Sequence, residues 1–300
     1  MVSNGKVLYL QTNQINFMHK NAKIIIPICI CFLMFSCTEN NRKIKSDLTK
    51  VKLIGKVKGV TFNSYSYTRQ EIGAVKGDLV SKSIYKYNEK GMVTEFVVNN
   101  LNGGWKKKSV PVYDENGHRI SSSEYFPDGS LEKYYAYKYD DQGNQIEISI
   151  HKADSSLYGT AIKKYDAAGN EIEYNEYKPD GSLNARATYK YDARGNEIGL
   201  NYYNPDGSVI QKFTRKYDDK NNMTELVMYD AIDTLVAKSL YKYDAYGNTT
   251  EANRYRADGG LSTKSTFKFE YDKNNNWIKM TELNIENMPV REDERLIEYY

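Results

Sequence analysis

The sequence predicts an all-β fold: an antiparallel β-hairpin repeat meander of about sixteen strands, shaped as a curved sheet or partly closed shell. Three observations predict this fold class. Tyrosine recurs with a period of 26 residues along most of the chain, each repeat contains two turn signals, and the residues between the turns alternate between apolar and polar. The repeats contain no sustained 3.6-residue period, so helices are not expected there.

Two series of residues mark the repeat. Tyrosines stand 26 residues apart at seven positions, an eighth arrives two residues late, and all but the first are followed by aspartate. These motif tyrosines are Tyr87, Tyr113, Tyr139, Tyr165, Tyr191, Tyr217, Tyr243 and Tyr271. An apolar series keeps the same period at Leu79, Trp105, Leu131, Leu157, Leu183, Val209, Leu235 and Leu261. The two series predict eight copies of one structural unit in a repeat domain over residues 51–300.

Each unit contains two turn signals that follow from backbone chemistry. In residues 204–208 (NPDGS), proline sets φ at the second turn position, and glycine accepts a positive φ that a side chain disfavours. In residues 192–196 (DARGN), the aspartate carboxylate is placed to cap the turn backbone. Both motifs therefore predict tight hairpin turns.

The segments between the turns are predicted to be strands. In residues 183–191, Leu, Ala and Tyr occupy one face, whereas Asn, Arg, Thr and Lys occupy the other. Because 26 is even, successive units present the same face, and equivalent side chains stack in rows across the sheet. The register at the turn stays open. A glycine bulge would pair Tyr191 with Glu197, whereas a four-residue turn would place it level with Ile198, and burial favours the second arrangement.

The shape of the sheet follows from its length. So many strands must twist, and the sheet can hide its apolar face only by curling on itself or by finding a partner. A curved or partly closed shell is the first expectation, and a flat single-layer sheet is the second. Residues 288–300 (MPVREDERLIEYY) are predicted to end in a closing strand that pairs with the last unit, and its charges blunt the edge.

The N-terminal region predicts export. Residues 18–37 (MHKNAKIIIPICICFLMFSC) contain a basic segment, an apolar run and a cysteine after a small residue. They resemble a bacterial lipoprotein signal peptide, which implies that Cys37 becomes the lipid-modified first residue; an ordinary secretory signal and an uncleaved anchor are the alternatives. Residues 1–17 fit no export signal and predict a mis-assigned start, with translation beginning at Met18. Residues 38–50, polar and aperiodic, are predicted to be a flexible tether.

The composition after the signal peptide argues against disulfides and against binding to nucleic acid or anionic membranes. Cys29 and Cys31 lie in the apolar run, so the exported chain keeps Cys37 alone and forms no disulfide. Residues 1–37 hold three of the 42 Lys and Arg and none of the 39 Asp and Glu, and 42 − 3 = 39 leaves a net charge of zero. Binding to nucleic acid or to an anionic membrane surface through the overall field is therefore not expected.

The segments YKYDARGNEI, YKYDAYGN and KKYDAAGNEI resemble the YD (tyrosine-aspartate) repeat of the RHS-type family of bacterial surface and secreted proteins. The resemblance implies a strand-rich shell, which encloses a C-terminal toxin in some members; others have been linked to carbohydrate or cell-surface binding. This chain lacks the proline- and glycine-marked junction that precedes the toxin, so enclosure is not expected. Residues 125–135 (YFPDGSLEKYY) also resemble the MORN-type hairpin repeats of some bacterial antitoxin-like proteins.

Candidate ligand-binding residues come from paired tyrosines. Aromatic rings suit a half-buried pleated surface, and the same row is suited to stacking on sugar rings or on a partner; structural packing is the alternative. The six candidates are Tyr137, Tyr139, Tyr189, Tyr191, Tyr241 and Tyr243. A second row consists of Lys138, Lys164, Lys190, Lys216, Lys242 and Lys268, with Glu147, Glu173, Glu225 and Glu251 on alternate strands. These charges predict cross-strand pairs on a solvated face.

Metal, cofactor and catalytic sites are not expected. Calcium needs six or more converging oxygen ligands, and one aspartate per turn supplies too few, so turn capping is predicted for the motif aspartates. His118 and His151 lie near no cysteine, histidine pair or phosphate loop, and they are predicted to be surface residues.

Together these observations predict a non-catalytic outer-membrane lipoprotein, anchored through Cys37, that acts as a repeat-built binding or scaffolding module for glycan or protein partners of the cell envelope. Thr38 follows Cys37 in place of the aspartate that in many Gram-negative bacteria retains lipoproteins at the inner membrane, and this favours the outer membrane. The side of the membrane is left open. The alternatives are an immunity or accessory partner of a secreted toxin and an RHS-type shell fragment without an effector.

Overall fold

The computed structural model describes residues 46–99 and 104–300. Residues 1–17, the signal peptide with Cys37, and residues 38–45 of the predicted tether lie outside the described residues. The described chain forms one short helix, α1 (Asp47–Lys50), and 18 strands. The first nine strands are β1 (Val57–Arg69), β2 (Ala74–Tyr87), β3 (Val93–Asn99), β4 (Trp105–Tyr113), β5 (Arg119–Tyr125), β6 (Leu131–Tyr139), β7 (Gln145–Lys152), β8 (Leu157–Tyr165) and β9 (Glu171–Tyr177). The others are β10 (Leu183–Tyr191), β11 (Glu197–Tyr203), β12 (Val209–Tyr217), β13 (Met223–Asp230), β14 (Leu235–Tyr243), β15 (Thr249–Arg256), β16 (Leu261–Tyr271), β17 (Trp277–Leu283) and β18 (Pro289–Tyr299).

The strands form a closed antiparallel meander. Each strand pairs with the next one in sequence, and β18 pairs with both β17 and β1, so the sheet closes into a barrel without a free edge. The predicted all-β hairpin meander is confirmed, and so is the pairing of the last strand with the last unit. The flat-sheet expectation is wrong, and so is the expectation of an exposed edge blunted by charges, because β18 also pairs with β1. Strands β2 to β17 supply the two strands of each repeat unit, and β1 and β18 are the additional pair that completes the ring.

The turns of the YD motif contain a bulge, and this corrects the preferred register. The Asp192 N–H donates to the Asn196 carbonyl at 2.9 Å, and Gly195, at φ +77°, donates to the Asp192 carbonyl at 3.0 Å. Tyr191 therefore pairs with Glu197. Burial does not follow side-chain polarity here, because Glu197 is 3% exposed and Ile198 is 37% exposed. The expectation that Tyr191 lies level with Ile198 is wrong.

The two faces of the barrel differ in burial. The inner face carries the motif tyrosines together with buried residues such as Ala187, Leu200 and Met280. The outer face carries the exposed lysines that precede those tyrosines. The barrel also has two rims: the YD rim is formed by the turns that follow the even-numbered strands, and the opposite rim by the turns that follow the odd-numbered strands. The largest inner cluster of buried side chains contains Met223, Leu226, Tyr241, Ala252, Phe267, Trp277 and Met280.

Residues 46–56 form an N-terminal strap across part of the YD rim. The Leu48 N–H donates to the Gly91 carbonyl at 3.1 Å, and Ile54 exchanges two hydrogen bonds of 2.8 Å with the Asn276 side chain. Residues 46–50 were predicted to belong to the flexible tether, but they pack on the rim because Asp47 and Leu48 are buried there. Among the described residues, no helix is long and apolar enough to span a membrane.

Candidate functional site

The motif aspartates cap their own turns, as predicted. The Asp192 carboxylate accepts hydrogen bonds from the Arg194 and Asn196 N–H groups and from the Asn196 side-chain amide, at 2.8–2.9 Å. Burial by itself would raise the pKa of Asp192, but these donors hold the pKa below its usual value. The same bonds recur at Asp140, Asp166 and Asp218. The described residues contain no group of three or more His, Cys, Asp or Glu side chains arranged to hold a metal.

The motif tyrosines connect each unit to the one before it. The Tyr191 hydroxyl donates to the backbone carbonyl of Glu171 at 2.8 Å, and that residue begins the second strand of the preceding unit. Equivalent bonds join Tyr139 to Arg119, Tyr165 to Gln145, Tyr217 to Glu197, and Tyr243 to Met223. At the strap, the hydroxyl of Tyr113 donates to the Asp47 carboxylate at 2.8 Å. These hydroxyls therefore hold neighbouring hairpins together at the YD rim.

The six tyrosines predicted as ligand contacts all lie on the inner face. Three of them, Tyr139, Tyr191 and Tyr243, make the inter-unit bonds just described. Burial raises the pKa of their strand neighbours Tyr137, Tyr189 and Tyr241. Ligand contact by these residues stays a prediction, and the structure gives half of them a structural role.

Ionic pairs on the inner face were not predicted. Lys163 and Glu171 are both buried, and their charged atoms lie 2.8 Å apart. A second pair joins Glu197 on β11 to Arg215 on β12. Burial raises the pKa of both glutamates, although the paired cations oppose this shift. A single sequence does not reveal the second pair, because Glu197 and Arg215 are 18 residues apart and belong to different repeat units.

The outer face carries the predicted charge pairs. The lysine that precedes each motif tyrosine pairs with a glutamate on the next strand, at 2.7–3.1 Å in five units. These pairs are Lys86–Glu95, Lys138–Glu147, Lys164–Glu173, Lys216–Glu225 and Lys242–Glu251. Lys268 lies outside this row because the last motif turn comes two residues late, so that Glu270 takes the position and pairs with Lys279 at 3.7 Å. We call this row of pairs the outer charge ladder.

A second aromatic row, which we call the outer aromatic row, was missed in the sequence. It consists of Tyr125, His151, Tyr177, Tyr203, Tyr229 and Tyr255, each at or next to the end of an odd-numbered strand. Their cross-strand partners include Lys108, Arg186 and Lys212, which places the row on the outer face near the opposite rim. In the part of the chain that the structure describes, the hydroxyls of Tyr125, Tyr177, Tyr229 and Tyr255 have no hydrogen-bond partner. The 26-residue spacing of these residues in the sequence could have revealed the row.

The two histidines of the described chain each replace a repeated residue of the unit. His118 stands where most units have the motif asparagine, and its Nδ1 lies 3.0 Å from the Asp114 carboxylate. His151 belongs to the outer aromatic row and stacks on Tyr134 with ring centroids 4.9 Å apart. Each histidine is therefore part of the repeated surface and lies apart from any cluster of metal ligands in the described chain.

No protein-family model and no curated protein matches the chain. A porin-like protein from Bacteroides uniformis is similar over 81% of this chain and 96% of its own, with 12% identity and a TM-score of 0.44. A porin-like protein from Bacteroides vulgatus is similar over 81% of this chain and 98% of its own, with 14% identity and a TM-score of 0.39. The Photorhabdus luminescens Tc holotoxin pore is similar over 77% of this chain but 14% of its own, with 14% identity and a TM-score of 0.27. These similarities assign neither a family nor a function.

Proposed function

We propose that this chain is a lipid-anchored, non-catalytic binding module of the cell envelope, and that its outer aromatic row is the surface that receives glycan or cell-surface partners. The observation that carries the proposal is the division between two rows of tyrosines. The inner motif tyrosines use their hydroxyls on backbone carbonyls, whereas four tyrosines of the outer row keep theirs free in the described structure. Outward rings with free hydroxyls suit stacking and hydrogen bonding to sugars.

The repeat gives this surface a regular spacing. Each unit adds two strands to the ring, and neighbouring strands lie about 4.8 Å apart, so equivalent side chains recur at roughly 10 Å. The aromatic residue of each unit is followed around the ring by that of the next unit. A row of equivalent sites at constant spacing favours a ligand that is itself a polymer of repeating units.

The proposed anchor would orient this surface. Eight residues lie between Cys37 and Ser46, the first described residue of the strap, so nine residue-to-residue steps join the two. An extended chain spans at most about 3.6 Å per residue, or roughly 30 Å here. Lipid on Cys37 would therefore keep the YD rim close to the membrane, and it would present the outer aromatic row, at the opposite rim, away from it. Thr38 supports placement at the outer membrane, as the sequence predicts.

Retention on insoluble cell-wall material and binding to a glycan array test the proposal. The double variant Tyr177→Ala, Tyr255→Ala removes two rings of the outer row, and we expect it to lose most of the binding. Tyr246→Ala is the matched control, because this tyrosine is 52% exposed but lies in a turn of the YD rim. Equal binding by the unchanged protein and both variants, or an equal loss in the control, would contradict the proposal. Co-purification with a secreted toxin in place of glycan binding would favour the immunity alternative.

A further inference from the structure

The outer charge ladder has one gap. Gly199 occupies the position at which five other units have a glutamate, and it pairs with Lys190 of the neighbouring strand. No carboxylate pairs with Lys190 among the described residues. Two other units lack the glutamate, but neither leaves a ladder lysine unpaired. Ser121 faces Val112 in one of them, and Lys279 faces Glu270 in the other. The gap at Gly199 therefore leaves an exposed lysine without the carboxylate that its counterparts have.

A surface depression of about 410 Å³ lies at this gap. It crosses the outer faces of β10 to β13, and its volume is within the range of small-molecule sites. Lys190 and Lys212 line it, and the ammonium group of Lys212 also contacts the exposed Asp233 at 2.6 Å. The lining also contains hydroxyl, amide and aromatic groups at Thr188, Asn201, Thr214 and Tyr229, and the apolar residues Ile198 and Phe213.

The lining indicates the chemistry of a ligand. Lys212 is already paired with Asp233, but the ammonium group of Lys190 has no carboxylate beside it among the described residues. Lys190 therefore favours an anionic group, which would take the place that glutamate has in the five paired units. The hydroxyl and amide groups suit a ligand rich in hydroxyls, and Tyr229, a member of the outer aromatic row, offers a ring for stacking. A sugar that carries a carboxylate combines these properties.

We propose that the depression at Gly199 binds an acidic sugar residue of a glycan, with Lys190 on its carboxylate and Tyr229 against its ring. This inference rests on the proposed function and names the ligand class of one unit of that surface. It makes the unit that contains Gly199 different from the five units in which a glutamate already pairs with the ladder lysine.

The test is calorimetric titration of the full chain with a uronic-acid tetrasaccharide and with a neutral tetrasaccharide of the same linkage. Gly199→Glu fills the gap with the carboxylate of the other units. A Cβ atom at Gly199 would meet only side-chain carbons of Lys190, at 3.4–3.8 Å, so the fold accepts the change. We expect Gly199→Glu and Lys190→Ala each to weaken uronate binding at least about tenfold, with unchanged or higher thermal stability for Gly199→Glu. Lys216→Ala, which removes a ladder lysine already paired with Glu225, is the matched control and should bind normally.

Each other outcome has a distinct meaning. Neutral and acidic tetrasaccharides that bind equally well, with no effect of Gly199→Glu, overturn this inference and leave the proposed function in place. Uronate binding that survives both Gly199→Glu and Lys190→Ala places the acidic site elsewhere and also overturns it. Inorganic sulfate that binds as tightly as the tetrasaccharide reduces the site to a simple anion site and overturns the assignment to a sugar. No binding of any glycan, here or on an array, would contradict the proposed function as well.

Discussion

Replacing Tyr191 by phenylalanine removes one hydroxyl and leaves the ring in place, so it isolates the bond that joins two repeat units. The hydroxyl donates to the Glu171 carbonyl at 2.8 Å, on the side of the barrel that carries its buried residues. A net hydrogen bond contributes about 1 kcal/mol, and a buried acceptor left without a donor costs about 1–3 kcal/mol. We therefore expect Tyr191→Phe to lower the free energy of unfolding by about 1–2 kcal/mol. For a domain of this size, the melting temperature should fall by roughly 2–8 °C.

Thermal and urea unfolding, followed by circular dichroism, measure this loss. The matched control is Tyr177→Phe, because the Tyr177 hydroxyl has no hydrogen-bond partner in the described structure, and its removal should change stability by less than about 0.5 kcal/mol. Tyr217→Phe breaks the equivalent bond of the next unit, at 2.8 Å to Glu197, and should repeat the result of Tyr191→Phe. If Tyr177→Phe destabilised the protein as much as Tyr191→Phe, one conclusion would be wrong. It is the conclusion that the inner tyrosine hydroxyls stabilise the fold whereas those of the outer aromatic row do not.

Three further predictions concern buried and capping charges. Arg215→Met leaves Glu197 buried without its partner and should cost about 3–5 kcal/mol in urea unfolding, whereas adding Glu197→Gln to that variant should recover most of the loss. Asp47→Ala removes the acceptor of the Tyr113 hydroxyl and of the Val93 N–H, so proteases should cleave the strap of the variant sooner, while barrel unfolding followed by circular dichroism changes little. The turn aspartates with lowered pKa values contribute stability that is complete above about pH 4 and is lost as the pH falls through their folded-state pKa values. The inner glutamates with raised pKa values act in the opposite sense but are fewer, so an acid titration should show a net loss of stability below pH 4.

The local features of the fold could be predicted because they repeat. The DARGN turn, its aspartate cap and the lysine–glutamate pairs each depend on residues close in sequence or on neighbouring strands, and eight copies make the pattern visible. The register could not be predicted, because it depends on a bulge whose buried residue, Glu197, is polar and is stabilised by Arg215 of the next repeat unit. Closure of the barrel could not be predicted either, since it requires β1 and β18 to meet after the whole chain has turned once around.

The bulges also explain why the outer aromatic row escaped notice. Each hairpin has a register shift at both ends, as at Lys190/Tyr191 and at Tyr202/Tyr203, so strict alternation cannot be extended from one strand through a turn into the next. Counting alternate residues from Tyr191 therefore does not show on which face of the sheet Tyr203 lies. The 26-residue spacing does not depend on the register within a unit, and it is the better guide to which side chains share a face in a repeat of this kind.

The most conspicuous residues of the repeat are the least available for function. In each typical unit the tyrosine hydroxyl is bonded to a neighbouring backbone, the aspartate to its own turn, and the asparagine to that aspartate, while the glycine holds a positive φ. These residues recur because every hairpin needs them, so they do not distinguish one unit from another. Function is more readily located where a unit departs from the pattern on the outer face. Gly199 is such a departure, because it opens the charge ladder at a place where the backbone needs neither a glycine nor a positive φ.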